Sequence, residues 1–150
     1  MKQFVLGIFI ISTFVIFPLQ SKATTMPCSM VLGPIDKKLT NAKGTALVYK
    51  VQLRPPSFAR TNLSILGVHL PEPSSYGNYD SYEGFAFIPD EISWRFRLYP
   101  SPENDSPTWA GRFDEITAKM ENVEVQVRLS NSKTEKLGPS ILRSNIKYCR

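Results

Sequence analysis

The chain has 150 residues, with 18 lysines and arginines against 13 acids and 42% hydrophobic residues, giving a net charge of +5. This length and balance fit a single folded domain and exclude an acidic disordered or low-complexity chain. With two cysteines, one histidine and no Cys-x-x-Cys pair, the composition also excludes the usual structural zinc sites.

Residues 1–23 read as a cleavable secretory signal. Lys2 supplies a positive start and an apolar run extends from Phe4 to Phe17. Pro18 breaks the run, and Ser21-Lys22-Ala23 presents small residues at −3 and −1 of a cut after Ala23. The run is 14 residues long, whereas a helix needs about 20 to cross a bilayer, so no stable membrane span is expected. Thr25-Met26-Pro27 ahead of Cys28 does not form a lipobox. The expected destination is secreted or periplasmic. Cleavage leaves residues 24–150 as one domain and removes Lys2 and Lys22 but no acid, so that 16 cations face 13 acids and the charge falls to +3. A charge of this size favours solubility and does not call for a nucleic-acid partner.

In an oxidising compartment Cys28 and Cys149 are expected to form a disulfide, closing a loop of 121 residues. Chain entropy assigns such a closure about 4–5 kcal/mol. The pairing would lay the first and last elements side by side.

Between these cysteines the chain reads as short strands separated by proline and glycine. Met26–Leu32 supplies a first strand. Ala46–Arg54 alternates cleanly, with Leu47, Tyr49, Val51 and Leu53 on the expected buried face, and Pro55-Pro56 ends it. Leu63–Leu70 follows, bounded by Pro71-Glu72-Pro73. Then come Tyr82–Ile88, stopped by Pro89, and Ile92–Tyr99, where Trp94, Phe96 and Leu98 alternate with Arg95 and Arg97. Trp109–Ile116 is a further strand, and Glu115–Glu121 is the one stretch that could form a helical turn. In Val123–Leu129 valine and leucine alternate with Glu124, Gln126 and Arg128. Asn131–Lys136 reads as a hairpin loop, and Leu137–Leu142 and Ile146–Cys149 as the last strands.

Seven or eight short antiparallel strands with little helix predict an all-β fold, a single β-sandwich with Trp94, Phe96, Trp109, Phe113, Phe85 and Phe87 in its core. The C-terminal hairpin resembles immunoglobulin-like sandwiches in general pattern, an analogy that carries no function.

Chemistry is sparse. His69 ends a strand, and no serine lies in a Gly-x-Ser-x-Gly context. Asp80 and Glu83 share a loop and are the carboxylates best placed for a small hydrolase. With Asn78 they also offer oxygen ligands, but without the spacing of a calcium loop. No metal or cofactor is expected. Asn62-Leu63-Ser64 is a glycosylation sequon, relevant only in a eukaryote, and Asn104-Asp105-Ser106 is weakened by Pro107.

Ser74–Gly84 is the unusual segment. Tyr76, Tyr79 and Tyr82 recur every third residue among Gly, Ser and Asn, the chemistry of binding loops. Arg95 and Arg97, on one strand face, are the second candidate; Lys50, Arg54 and Arg128 would extend a basic face if their strands were neighbours. These residues predict a non-enzymatic module that binds a protein, a glycan or the cell envelope. The rival readings are a small secreted hydrolase, a structural envelope protein and an inhibitor of a secreted enzyme.

Overall fold

The computed structural model describes residues 26–52, 58–103 and 105–149. The signal segment 1–23, the proline stop at 55–56 together with Leu53 and Arg54, and the Asn104 sequon lie outside the described residues.

Eight strands appear where the alternation places them: β1 (Cys28–Pro34), β2 (Lys43–Val51), β3 (Arg60–Val68), β4 (Ser81–Ile88), β5 (Ile92–Pro100), β6 (Trp109–Ile116), β7 (Glu124–Ser130) and β8 (Leu137–Asn145). All pairs are antiparallel. The expected sandwich, however, is a closed barrel in the order β1-β2-β3-β6-β5-β4-β7-β8. Two strands turn the corners. β1 pairs with β2 through Cys28–Leu32 and then with β8 through Gly33 and Pro34. β5 pairs with β4 through Ile92–Leu98 and then with β6 through Tyr99 and Pro100. A period of two reads the same in a sandwich and a small barrel, because both bury one face of each strand. The difference lies in these short corner pairings, which side-chain periodicity does not encode.

The core fills the barrel. Val123, Val125, Val127 and Leu129 are fully buried, and Trp94, Phe96 and Leu98 are buried as expected. On β2 the inward face is Gly44, Ala46 and Val48, and Leu47 is 42% exposed, the reverse of the expected face. The small residues go inside because space is short: a Cβ on Gly44 would lie 2.9 Å from Leu142 Cδ1. Gly111 serves closure itself, since a Cβ there would meet the Arg97 carbonyl oxygen at 2.4 Å.

Two further expectations are corrected. Residues 117–121, in the expected helical turn, are irregular after β6 ends at Ile116. Ile146–Tyr148 is a 3-10 turn and not a strand, started by Asn145, whose side chain accepts from the Lys147 amide. That turn swings Cys149 onto Cys28, and the disulfide forms with a Cα–Cα distance of 5.3 Å. Among the described residues no helix is long and apolar enough to cross a membrane, a statement that does not concern strands.

Gly111→Ala is expected to destabilise the barrel by about 1–3 kcal/mol, because backbone must shift to admit the methyl group; urea unfolding followed by circular dichroism measures it. Replacing both cysteines by alanine should cost about 2–5 kcal/mol in the same assay.

Candidate binding face

Strand β4 carries its side chains in an unexpected sense. Tyr82, Gly84 and Ala86 point into the barrel, while Glu83, Phe85 and Phe87 lie on the outer surface. Phe85 and Phe87 are therefore not core residues, as the sequence predicts, but half-buried outer ones. The cause is Phe96. It pairs with Gly84 across β4–β5, and its ring occupies the space over the glycine: a Cβ on Gly84 would lie 2.3 Å from Phe96 Cζ. With that volume filled, the inward positions from Gly84 onward take only small residues, and Phe85 and Phe87 face outward.

The outer face of β5, β4 and β7 follows from the register. Arg97, Glu83 and Arg128 form one row across the three strands, and Arg95, Phe85 and Gln126 form the next. Phe85 and Phe87 pack together with ring centroids 5.5 Å apart, and the Arg128 guanidinium lies 5.3 Å from the Phe85 centroid. Arg128 is held there by donating from Nε and Nη2 to the Gly138 carbonyl at 2.9 and 2.7 Å. Beside these rings a groove of about 520 Å³ runs past Ile92 and Ser93.

Glu83 organises the other half of the face. It is 8% exposed. It accepts from Arg95 Nε and Nη2 and, at 2.6 Å, from Ser130 Oγ. Burial alone would raise its pKa, but the hydrogen bonds from Arg95 and Ser130 and the charges of Arg95 and Arg97 outweigh it and hold the carboxyl below its ordinary 4.5. Arg95 also donates to the Glu135 carbonyl at 2.7 Å, tying the strand to the β7–β8 loop. Arg97 makes no side-chain hydrogen bond or ion pair among the described residues, and it lines a cleft of about 310 Å³ with Glu83, Arg95, Asn131, Ser132 and Glu135.

The same loop meets the tyrosine segment. Asn131 Nδ2 donates to the Asn78 carbonyl at 2.9 Å, and Ser132 donates from its amide and hydroxyl to Asp80 at 2.8 and 2.7 Å. These bonds, the hydroxyl's first, keep the Asp80 carboxyl below its usual range. The three tyrosines do not share a surface. Tyr76, in a 3-10 turn, is 39% exposed. Tyr79 is half-buried with its ring over Gly138. Tyr82 is fully buried, donates to the Pro71 carbonyl at 2.7 Å and packs edge-on against Trp109 at 5.1 Å. Burial pushes its phenol pKa up. The period of three breaks because β4 starts at Ser81, between Tyr79 and Tyr82.

Arg95 and Arg97 are thus brought together with Arg128, but Lys50 is not, since β2 and β5 are not neighbours. Sequence reasoning missed Phe85 and Phe87 as surface residues. Their shared parity with the charged Glu83 is the signal that could have found them. His69 is exposed at a bend with φ of 51°. Among the described residues no three of His, Cys, Asp and Glu group as metal ligands.

A family model described as "SPbeta prophage-derived uncharacterized protein YoqH" matches residues 24–150. The chain is 66% identical over 149 residues to the protein of that description from Bacillus subtilis strain 168, covering 99% of each chain. No solved structure matches the chain.

Stability should fall in acid through Glu83. Its folded pKa lies below its ordinary value, so its contribution is complete above about pH 4.5 and is lost as pH drops toward the folded pKa. Glu83→Gln is expected to flatten this acid limb in urea midpoints measured across pH. At neutral pH it should cost about 1–2 kcal/mol, less than a fully buried pair because Arg95 is over one third exposed.

Proposed function

The chain belongs to the YoqH family, and on that premise we propose that it is an exported, non-enzymatic binding protein that takes an acidic protein partner on the outer face of β5, β4 and β7. The observation that carries the proposal is the composition of that face. Arginine and aromatic side chains dominate the energetics of protein interfaces, and here Phe85 and Phe87 sit among Arg95, Arg97 and Arg128. Glu83 takes its hydrogen bonds from Arg95 and Ser130, so Arg97, whose charge acts on Glu83 without a bond, keeps its donors open to a partner. An acidic partner lying along the face meets the Arg97 charge at one end and the Phe85–Phe87 rings further along the strands.

Two features support binding over hydrolysis. A general acid needs a raised pKa, whereas Asp80 and Glu83 are both held below the usual range by hydrogen bonds from serine and arginine. His69 makes no side-chain hydrogen bond among the described residues to a group that could activate it. Export is supported by the charged start, short apolar run and small-residue exit of residues 1–23, and by a disulfide, which persists in oxidising compartments.

Affinity capture from the envelope and culture fluid of the native host, with wild type beside the Phe87→Ser/Arg97→Glu double variant, tests the binding. Wild type should retain a partner that the variant loses by about thirtyfold or more. The same partners on both baits would remove the proposed face. For export, the protein recovered from outside the cytoplasm should begin at Thr24; retention inside the cell with Met1 intact would contradict it.

A further inference from the structure

The outer surface of β2, β3 and β6, across the barrel from the aromatic–arginine face, carries a groove of about 500 Å³ lined by Tyr49, Val51, Asn62, Arg112, Asp114 and Glu115, with Arg60 at its margin. Register explains the cluster. Tyr49 pairs with Asn62 across β2–β3. On the other side of β3, Thr61 pairs with Ile116 and Leu63 with Phe113, so Asn62 stands against two residues of β6, Asp114 and Glu115. A bulge of this kind re-aims side chains and concentrates them locally.

Asn62 is 7% exposed although it belongs to the outer face of its strand. Its Nδ2 donates to the Tyr49 hydroxyl at 3.5 Å, and its Oδ1 is buried with no hydrogen-bond partner among the described residues. Buried amide oxygens are paired in the great majority of folded proteins, and an unpaired one is a standing demand for a donor. The Tyr49 hydroxyl is itself a collecting point. Hydrogen bonds with Asn62 and then Ser64 draw its pKa below the usual tyrosine range.

The electrostatics narrow the ligand. Arg112 Nε lies 2.6 Å from Asp114 Oδ1, and Arg60 and Arg112 balance Asp114 and Glu115. A groove without net charge gives an ion no advantage. It presents instead a half-buried aromatic ring beside Val51, seated on the buried Asn62 amide, with carboxylate and guanidinium groups side by side. A pyranose ring matches that set, with hydroxyls that both donate and accept and an apolar C–H face for the tyrosine. Under the groove β2 and β6 are both laddered to β3, so a peptide finds no strand edge within it to extend.

We propose that the Tyr49–Asn62–Arg112 groove binds an uncharged saccharide, with sugar hydroxyls bonded to the exposed Arg112 and Asp114 side chains and a ring face against Tyr49. The test is a nitrogen-15 NMR titration of the purified, disulfide-bonded protein with cellotriose, maltotriose and triacetylchitotriose, each to about 10 mM, a range in which weak recognition registers. At least one trisaccharide should shift backbone amides of β2, β3 and β6 around Tyr49, Asn62 and Arg112. Tyr49→Ala should weaken that binding about tenfold or more, and Tyr49→Phe, which keeps the ring, should weaken it less. Should Tyr49→Ala lose the dispersed spectrum of the folded barrel, Arg112→Ala, at an exposed position, reads the same loss. No shift with any of the three sugars, shifts confined to another face, or undiminished binding by the alanine variant would overturn the proposal.

Discussion

Closure of the sheet on itself is the constraint from which the rest follows. β1 and β5 each serve two neighbours by turning a corner, so among the described residues every strand has a partner on both sides, at two seams through only two residue pairs. The price is a narrow interior whose volume decides which face of each strand goes inside. On β2 it admits Gly44, Ala46 and Val48 and turns Leu47 outward. On β4 it admits Tyr82 at the start of the strand and then only Gly84 and Ala86, because Phe96 already fills the space over Gly84. The aromatic pair on the outer surface is therefore a direct result of packing on the inner one.

Around that pair, one buried carboxylate ties separate parts of the chain together. Glu83 receives Arg95 from β5 and Ser130 from β7, and Arg95 reaches on to the loop that follows. The same loop holds Asn78 and Asp80 through Asn131 and Ser132. Segments about fifty residues apart in sequence become one firm corner of the barrel, as hydrogen-bonded polar networks in a low-dielectric setting can achieve. Arg95 is used by the fold in this network. Arg97, two residues on and on the same face, adds its charge to Glu83 but makes no side-chain hydrogen bond among the described residues.

How much of this is legible in the sequence depends on what decides each feature. β5 and β7 can be read directly because their large apolar residues face the core and their charges face out, so local pattern and global packing agree. β2 and β4 mislead because Gly44 and Ala46 on one, and Gly84 and Ala86 on the other, are buried ahead of larger neighbours, and hydrophobicity alone ranks Leu47 or Phe87 above Gly84. The choice of barrel over sandwich rests on two residue pairs at each corner, too few to leave a periodic mark. Of the candidate site, the arginines can be read from alternation on one strand. The tyrosine period misleads because it crosses from a 3-10 turn into a strand, which reorients Tyr82 entirely. Asn62 is marked in the sequence only by a sequon, whereas its burial comes from a bulge that forms between strands distant along the chain.

The disulfide has a mechanical consequence. Cys28 opens β1 and Cys149 follows β8, so the bond joins the first and last described elements directly. Tension applied to the backbone on the far sides of these two cysteines would pass from sulfur to sulfur and bypass the eight strands between them. The barrel behaves as a bead threaded on a covalent link: it can be tethered by either flank, or stretched between both, without its hydrogen-bonded ladder bearing load. The short seam between β1 and β8 would feel such a pull only after the bond had been reduced.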